Sequence, residues 1–257
     1  AVYFVGWAMP TYFLPNIFGG RSPPYSLTLI SLRFERVTGD MFMKDEPKSL
    51  GNSEIRDARL KMLKEAHIRP LTEFVYRIRK ERGLNNEVPF FDPFDGGIRA
   101  QCLFLLEAPG PKAVESGFIS RNNPDETAAN TFKLNKEADI QRSDTIFWNI
   151  VPWYIGDGKQ IRSANLKDIE EGFRYLDDLI NLLPNLKAIA LVGRKAQKVK
   201  HKIKELYPNF EPFESYHPSP SFINRNKYEN TKQIFDVLKK ISTFLRQTTW
   251  KVGDTSQ

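Results

Sequence analysis

Apolar positions recur along this chain with two spacings, and each predicts a different element. Between Asn52 and Gly83, Ile55, Leu60 and Leu63, then Leu71, Phe74, Val75 and Ile78, follow the helical period. A break at Arg69-Pro70 and a stop at Gly83 divide this stretch into two helices. Gln101 to Leu106 and Thr145 to Val151 are apolar without the polar alternation of a half-exposed strand, so they read as strands buried on both faces. Lys187 to Val192 is a third buried strand, and Pro212 to Tyr216 reads as a fourth strand. Leu166 to Leu183 has an amphipathic helical period, Arg194 to Tyr207 reads as a basic helix, and a last helix spans about Asn226 to Gln247. Strands alternating with helices predict an α/β fold in three layers, α/β/α, around a central four-stranded, mostly parallel sheet with right-handed crossovers. In such a sheet the functional loops lie at the carboxyl ends of the strands. The organisation expected is one domain over 43–247, with a helical lead-in (52–83), a sheet core (101–225), a closing helix (226–247) and a frayed tail (248–257).

Composition changes this picture at the amino end. Residues 1–42 combine Tyr3, Phe4, Trp7, Tyr12, Phe13 and Phe18 with Pro10, Pro15, Pro23 and Pro24, and lack the basic start and unbroken apolar run of a signal peptide. The prolines also break any membrane helix. The composition shifts at Met43-Lys44-Asp45-Glu46, so 1–42 is expected to be an irregular extension, with the native start at Met41 or Met43. The remainder of the 257 residues, 40% hydrophobic over the whole chain, is enough for one sizeable core. The single cysteine, Cys102, excludes an internal disulfide, an all-cysteine zinc site and a cysteine-held iron–sulfur cluster. The expectation is therefore an intracellular protein with no cofactor and no metal. A formal net charge of +7 suits a polyanionic partner such as nucleic acid.

Three strand ends carry the candidate chemistry. The first strand exits through Glu107-Ala108-Pro109-Gly110, in isolation an ordinary strand-to-loop transition. The second ends Trp148-Asn149-Ile150-Val151-Pro152. An Asn among buried apolar residues needs a partner for its amide, so Asn149 is a structural hydrogen bonder or a ligand reader. The fourth ends Tyr216-His217-Pro218-Ser219-Pro220, where the prolines stiffen a loop that presents an imidazole beside a hydroxyl. Asp92, Asp95, Gly96 and Gly97 before the first strand read most simply as a turn.

Together these segments, in this order, resemble the uracil-DNA glycosylase superfamily over about Phe91 to Arg225. Glu107-Ala-Pro-Gly110 looks like its first motif in the form of the family 4 and 5 branches. His217-Pro-Ser-Pro220 looks like its second, and Val192-Gly193-Arg194-Lys195-Ala196 is similar to its third strand. The resemblance implies an enzyme of base excision repair that extrudes a damaged base from DNA and hydrolyses its N-glycosidic bond. Asn149 would read the base, with Ala108 and Gly110 in the pocket, and Phe118 would stack on the base, unless it is a loop aromatic covering core. His217 would stabilise the departing base. The superfamily's water-activating residue is replaced by Ala108, leaving Asp125, which resembles the family 5 carboxylate, and Glu107 as candidates; Asp125 also fits a helix N-cap. Ser219 and Pro220 would hold a phosphate, and Phe222 or Ile223 would wedge into the duplex or belong to the core. The basic helix, with Arg194, Lys195, Lys198, Lys200, Lys202 and Lys204, is a solvated face or a phosphate site. The expected partner is DNA carrying uracil or a related lesion, with no membrane and a monomeric enzyme. Ala108 keeps open a second reading, a nucleic-acid-binding relative without catalysis. No Gly-x-Ser-x-Gly, Walker or Gly-x-Gly-x-x-Gly motif supports a hydrolase or nucleotide-binding alternative.

Overall fold

The computed structural model describes residues 44–157 and 161–253, so the expectations for 1–42 and for the last residues of the tail lie outside it. The leading helices form where the apolar period places them. Asn52 caps α1 (Ser53–Lys61) by accepting from the Glu54 and Ile55 N–H groups. α2 (Arg69–Arg82) has Pro70 in its first turn and ends at Gly83, whose left-handed φ of 64° a side chain would oppose.

Four strands make the central sheet: β2 (Cys102–Leu106), β4 (Thr145–Asn149), β5 (Ala188–Val192) and β6 (Glu211–Ser215). Their order is β4-β2-β5-β6 and every pairing is parallel. Two short strands, β1 (Phe90–Phe91) and β3 (Phe118–Ile119), form a separate parallel pair. The sequence did not reveal them, because two residues define no period. Within the sheet Phe104 and Phe147 lie opposite each other in register and their rings stack at 4.7 Å. The next residue, Trp148, points to the other face, where it stacks on Phe91 at 4.2 Å and meets Phe74 of α2 at 5.8 Å. Edge strand β6 carries Pro212 and the exposed Glu211 and Glu214, which discourage pairing with another chain. Cys102 is fully buried in β2, and burial drives its thiol far above the ordinary range.

The connection from β2 to β4 holds α3 (Pro111–Ser116), β3 and α4 (Glu126–Glu137). α5 (Leu166–Asn181) opens with a reciprocal cap between Asn165 and Asp168. At Gly172 of this helix a Cβ would stand 1.9 Å from the Ile150 carbonyl oxygen, so only glycine lets α5 settle against the chain leaving β4. The basic stretch is not one helix. α6 (Arg194–Gln197) and α7 (Lys200–Leu206) are separated at Val199, whose ψ of 3° leaves the helical path. α8 (Pro220–Ile223) is one turn, and α9 (Lys227–Gly253) runs past the expected end at 247, so 248–253 is helix and not frayed tail. Leu134 of α4 and Ile234 and Leu238 of α9 gather over Phe104 and Phe147 on one face, while α2 covers Trp148 on the other. Salt bridges Arg77–Asp178 and Arg82–Glu171 join α2 to α5. The result is the three-layer α/β/α arrangement.

Candidate active site

From β2 the chain proceeds to β4 on one side, and from β5 to β6 on the other, so the connections part at the carboxyl end of the sheet and leave a crevice there. A cleft of about 560 Å³ occupies this place. Glu107, Ala108 and Gly110 line it from the end of β2, Asn149 from β4, Asp125 from the start of α4, and His217 from the segment after β6. Ile161, Arg162 and Ser163 form part of the rim. Residues scattered over more than a hundred positions thus share one cavity.

Asn149 is the last residue of β4, in register with Leu106, and only 3% of it is exposed. Its Nδ2 is buried and makes no hydrogen bond among the described residues. An unmade donor of this kind costs about 1–3 kcal/mol, which a ligand at this position would offset. The segment that carries His217 packs against its neighbours. Gly193, with φ 85°, comes so near that a Cβ there would lie 3.4 Å from the His217 Cβ, and Asn130 Nδ2 of α4 donates to the Pro218 carbonyl at 3.0 Å. Burial lowers the imidazole's pKa from its ordinary value, against the smaller opposing pull of Glu107 and Asp125. At neutral pH the ring is therefore uncharged and offers a single N–H.

The two carboxylates are tied down differently. Glu107 Oε1 accepts from the Ala164 N–H at 2.7 Å and from Ser163 Oγ at 3.2 Å, anchoring the rim segment. Asp125 caps α4, accepting from the Ala128 N–H at 2.9 Å, and lines the cleft as well. The cap expected of Asp125 therefore forms, and the same residue lines the cleft.

Other expected site residues fall elsewhere. Phe118 is 0% exposed in β3 and does not line the cleft; the aromatic ring that does is Phe147 of β4, with Ile119 beside it. Pairing of β3 with β1 turns the Phe118 side chain into the core, so it is not placed to stack on a ligand. Ile223 is 6% exposed and belongs to the core. Phe222 packs against that core and stacks at 4.6 Å on Tyr216, so neither stands free as a wedge. Ser219 Oγ pairs with Ser221 Oγ at 3.0 Å, and Pro220 begins α8. In the basic stretch Lys195 donates to the Ala164 carbonyl, Lys200 pairs with Glu214, and Lys202 lies over the Phe173 ring, whereas Arg194, Lys198 and Lys204 are exposed.

Sequence reasoning missed a buried ion network beside the cleft. The turn expected at Asp92–Gly97 does form, Asp95 N–H donating to the Asp92 carbonyl at 3.0 Å, but its carboxylates are both enclosed. Asp92 accepts from Arg59 at 2.5 Å, from Arg142 at 2.6 Å and from Ser120. Burial alone would raise its pKa, yet Arg142, Arg59 and these hydrogen bonds hold it far below the carboxylate range. Asp95 accepts from Arg142 Nε at 2.8 Å and lies 3.5 Å from Arg121; there burial prevails and pushes the pKa up to about 6. Arg121, 4% exposed, lines the cleft, donates through Nη2 to Thr145 Oγ1 at 2.5 Å and lies 4.8 Å from the Phe147 ring centroid. Burial lowers its pKa to about 10. The polar run Ser120-Arg121-Asn122-Asn123 was the available signal, since such a cluster in a buried connection must be partnered.

The family model of the uracil DNA glycosylase superfamily matches residues 93–239, more than half of the chain and every cleft residue named above. The chain belongs to that superfamily. No curated protein sequence matches it. Among solved structures it is similar to a protein from Methanosarcina acetivorans, provisionally assigned as a uracil DNA glycosylase and solved by NMR in solution, at 14% identity and a TM-score of 0.38, covering 56% of this chain and 92% of that one. It is also similar to SMUG2 of Pedobacter heparinus, at 14% identity and a TM-score of 0.45, covering 73% of this chain and 87% of that one.

Proposed function

We propose that this chain is a DNA N-glycosylase that extrudes a deaminated or otherwise damaged base, uracil among the candidates, and hydrolyses its bond to the sugar. The observation that carries the reading is the cleft at the carboxyl end of the sheet, lined together by Asn149, whose Nδ2 has no partner among the described residues, by His217, whose pKa burial lowers, and by Asp125. Extrusion costs a few kcal/mol and is least costly for a mispaired base. For uracil, the Asn149 amide donates to O4 and accepts from N3–H, a pattern cytosine does not offer.

As the C1′–N bond breaks, its electron pair leaves with the base and positive charge grows on the sugar. The His217 N–H donates to the oxygen or ring nitrogen next to the glycosidic bond, where the negative charge collects, and backbone N–H groups near Gly110 assist; one such donor is worth about 3–4 kcal/mol in the barrier. An uncharged imidazole suits this role, because it donates without having to give up a proton. Water adds to C1′ and its proton passes to Asp125. Glu107 holds the rim through Ser163 and Ala164, a positioning role. DNA is met by the exposed cations and by the loop of Ser219 and Pro220.

The test is excision from end-labelled oligonucleotides bearing single lesions, with chelator present, by the wild type and by the His217→Ala variant. Wild-type abasic product, reduced about 10²–10³-fold by the substitution, supports the reading; bound but uncut DNA for every lesion would instead favour a non-catalytic binding relative.

A further inference from the structure

Resting on the glycosylase reading, we infer that Ile161, on the rim of the cleft, is the wedge that enters the duplex as the lesion leaves it, a positioning residue that keeps the base stack open. Extrusion leaves a gap in the stack, and an apolar side chain that fills it keeps the base from falling back. Such a side chain must be exposed at the mouth of the cleft and carried on backbone that does not yield. Of the large apolar side chains exposed among the described residues, Ile161 is the one that lines the cleft, with 41% of the residue exposed. The apolar residues after His217 are already committed, Ile223 to the core and Phe222 to Tyr216.

The rim that carries Ile161 is tied to the end of β2, to α5 and to α6. Ile161 forms an antiparallel bridge with Gly156, and the Arg162 N–H donates to the carbonyl of the buried Ile155 at 3.2 Å. The Arg162 guanidinium grips both carboxylate oxygens of Asp168, in the first turn of α5, at 2.6 and 2.8 Å. Glu107, just past β2, accepts from the Ala164 N–H and from Ser163 Oγ, while Lys195 of α6 donates to the Ala164 carbonyl. Charged side chains thus converge on 162–164, a stretch in which Ala164 alone is buried, so what they secure is the position of the rim and of the side chain it presents. A β-branched residue adds stiffness of its own, because few χ1 rotamers are open to it. Between two base pairs the apolar surface of Ile161 leaves water, which favours insertion.

The strand state of the substrate separates a wedge from any other role, since a lesion in single-stranded DNA leaves no gap between base pairs to fill. The experiment measures single-turnover excision from oligonucleotides bearing single lesions, each offered in a duplex and as a single strand, by wild type, Ile161→Ala and Ile161→Leu. Ile161→Ala should slow excision from the duplex by roughly ten-fold or more and leave the single-strand rate unchanged. Ile161→Leu keeps an apolar body at the rim and should recover most of the duplex rate. Ile161 is exposed, so its replacement removes no core packing and every variant should melt with the wild type. Equal loss in both strand states would make Ile161 a contact to the extruded base, and an unchanged duplex rate would assign the gap to another side chain. Either result, or wild-type excision from single strands alone, would overturn the wedge and leave the glycosylase reading standing. Excision of no lesion in either strand state by wild type would overturn both.

Discussion

Asp125 holds a helix and faces a cleft with the same carboxylate, and the two duties can be separated by choice of substitution. Serine is as good a helix cap as aspartate, but it is no base. The Asp125→Ser variant should melt at the wild-type temperature while excision in single turnover falls by roughly 10²–10⁴-fold. Asp125→Ala should lose the same activity and also about 1 kcal/mol of stability. Wild-type excision by the serine variant would remove Asp125 from the chemistry. At this scale the sequence was legible where a residue's type is itself unusual in its setting. Asn149 in an apolar strand and His217 at the head of a proline-stiffened loop announce a demand for partners, and both line the cleft. Phe118 announces nothing, because an apolar ring reads the same whether it meets a ligand or the core. Arg121 escaped notice for the converse reason: a charged loop residue is by default solvated, and only the fold encloses it.

The ion network beneath the cleft is the element-scale counterpart, linking α1 through Arg59, the turn before β2 through Asp92 and Asp95, and the start of β4 through Arg142 and Thr145. Asp95, with its pKa raised to about 6 against an unfolded value near 3.8, makes stability depend on pH. Between those values the unfolded chain has released a proton that the native state retains. Stability from this group is thus fully present below pH 4 and declines as pH rises to about 6, by at most about 3 kcal/mol. The difference in unfolding free energy between wild type and Asp95→Asn should show this fall across that window; a flat difference would mean that Asp95 is ionised throughout. The two lead-in helices and α5 were legible from their periods, and β2, β4 and β5 from apolar runs that lack alternation. The break between α6 and α7 was not, because Ala196, Val199 and Ile203 keep a helical spacing across it, and β1 and β3 are too short to carry a period.

Across the whole molecule, the net charge of +7 sets how the protein meets a polyanion. Arg194 is exposed and follows Gly193, the residue packed on His217, whereas Lys200 is committed to Glu214. The slope of log affinity for DNA against log salt should therefore drop by about 1 on Arg194→Ala and stay unchanged on Lys200→Ala. An unchanged slope for both would place the phosphates elsewhere. The three-layer architecture was predictable at this scale because buried strands alternating with helices admit few topologies.

The solitary thiol of Cys102 turns the centre of the sheet into a reporter. It has no neighbour to exchange with and no exposure through which a reagent can enter, so Ellman's reagent should stay colourless until β2 parts from β4 and β5. Because the cleft is built on the ends of those same strands, whatever fills it should delay the colour, by about a hundred-fold at a hundred times its dissociation constant. Screening for the natural lesion then needs no cleavage at all, only a clock that runs slower when the right oligonucleotide is added.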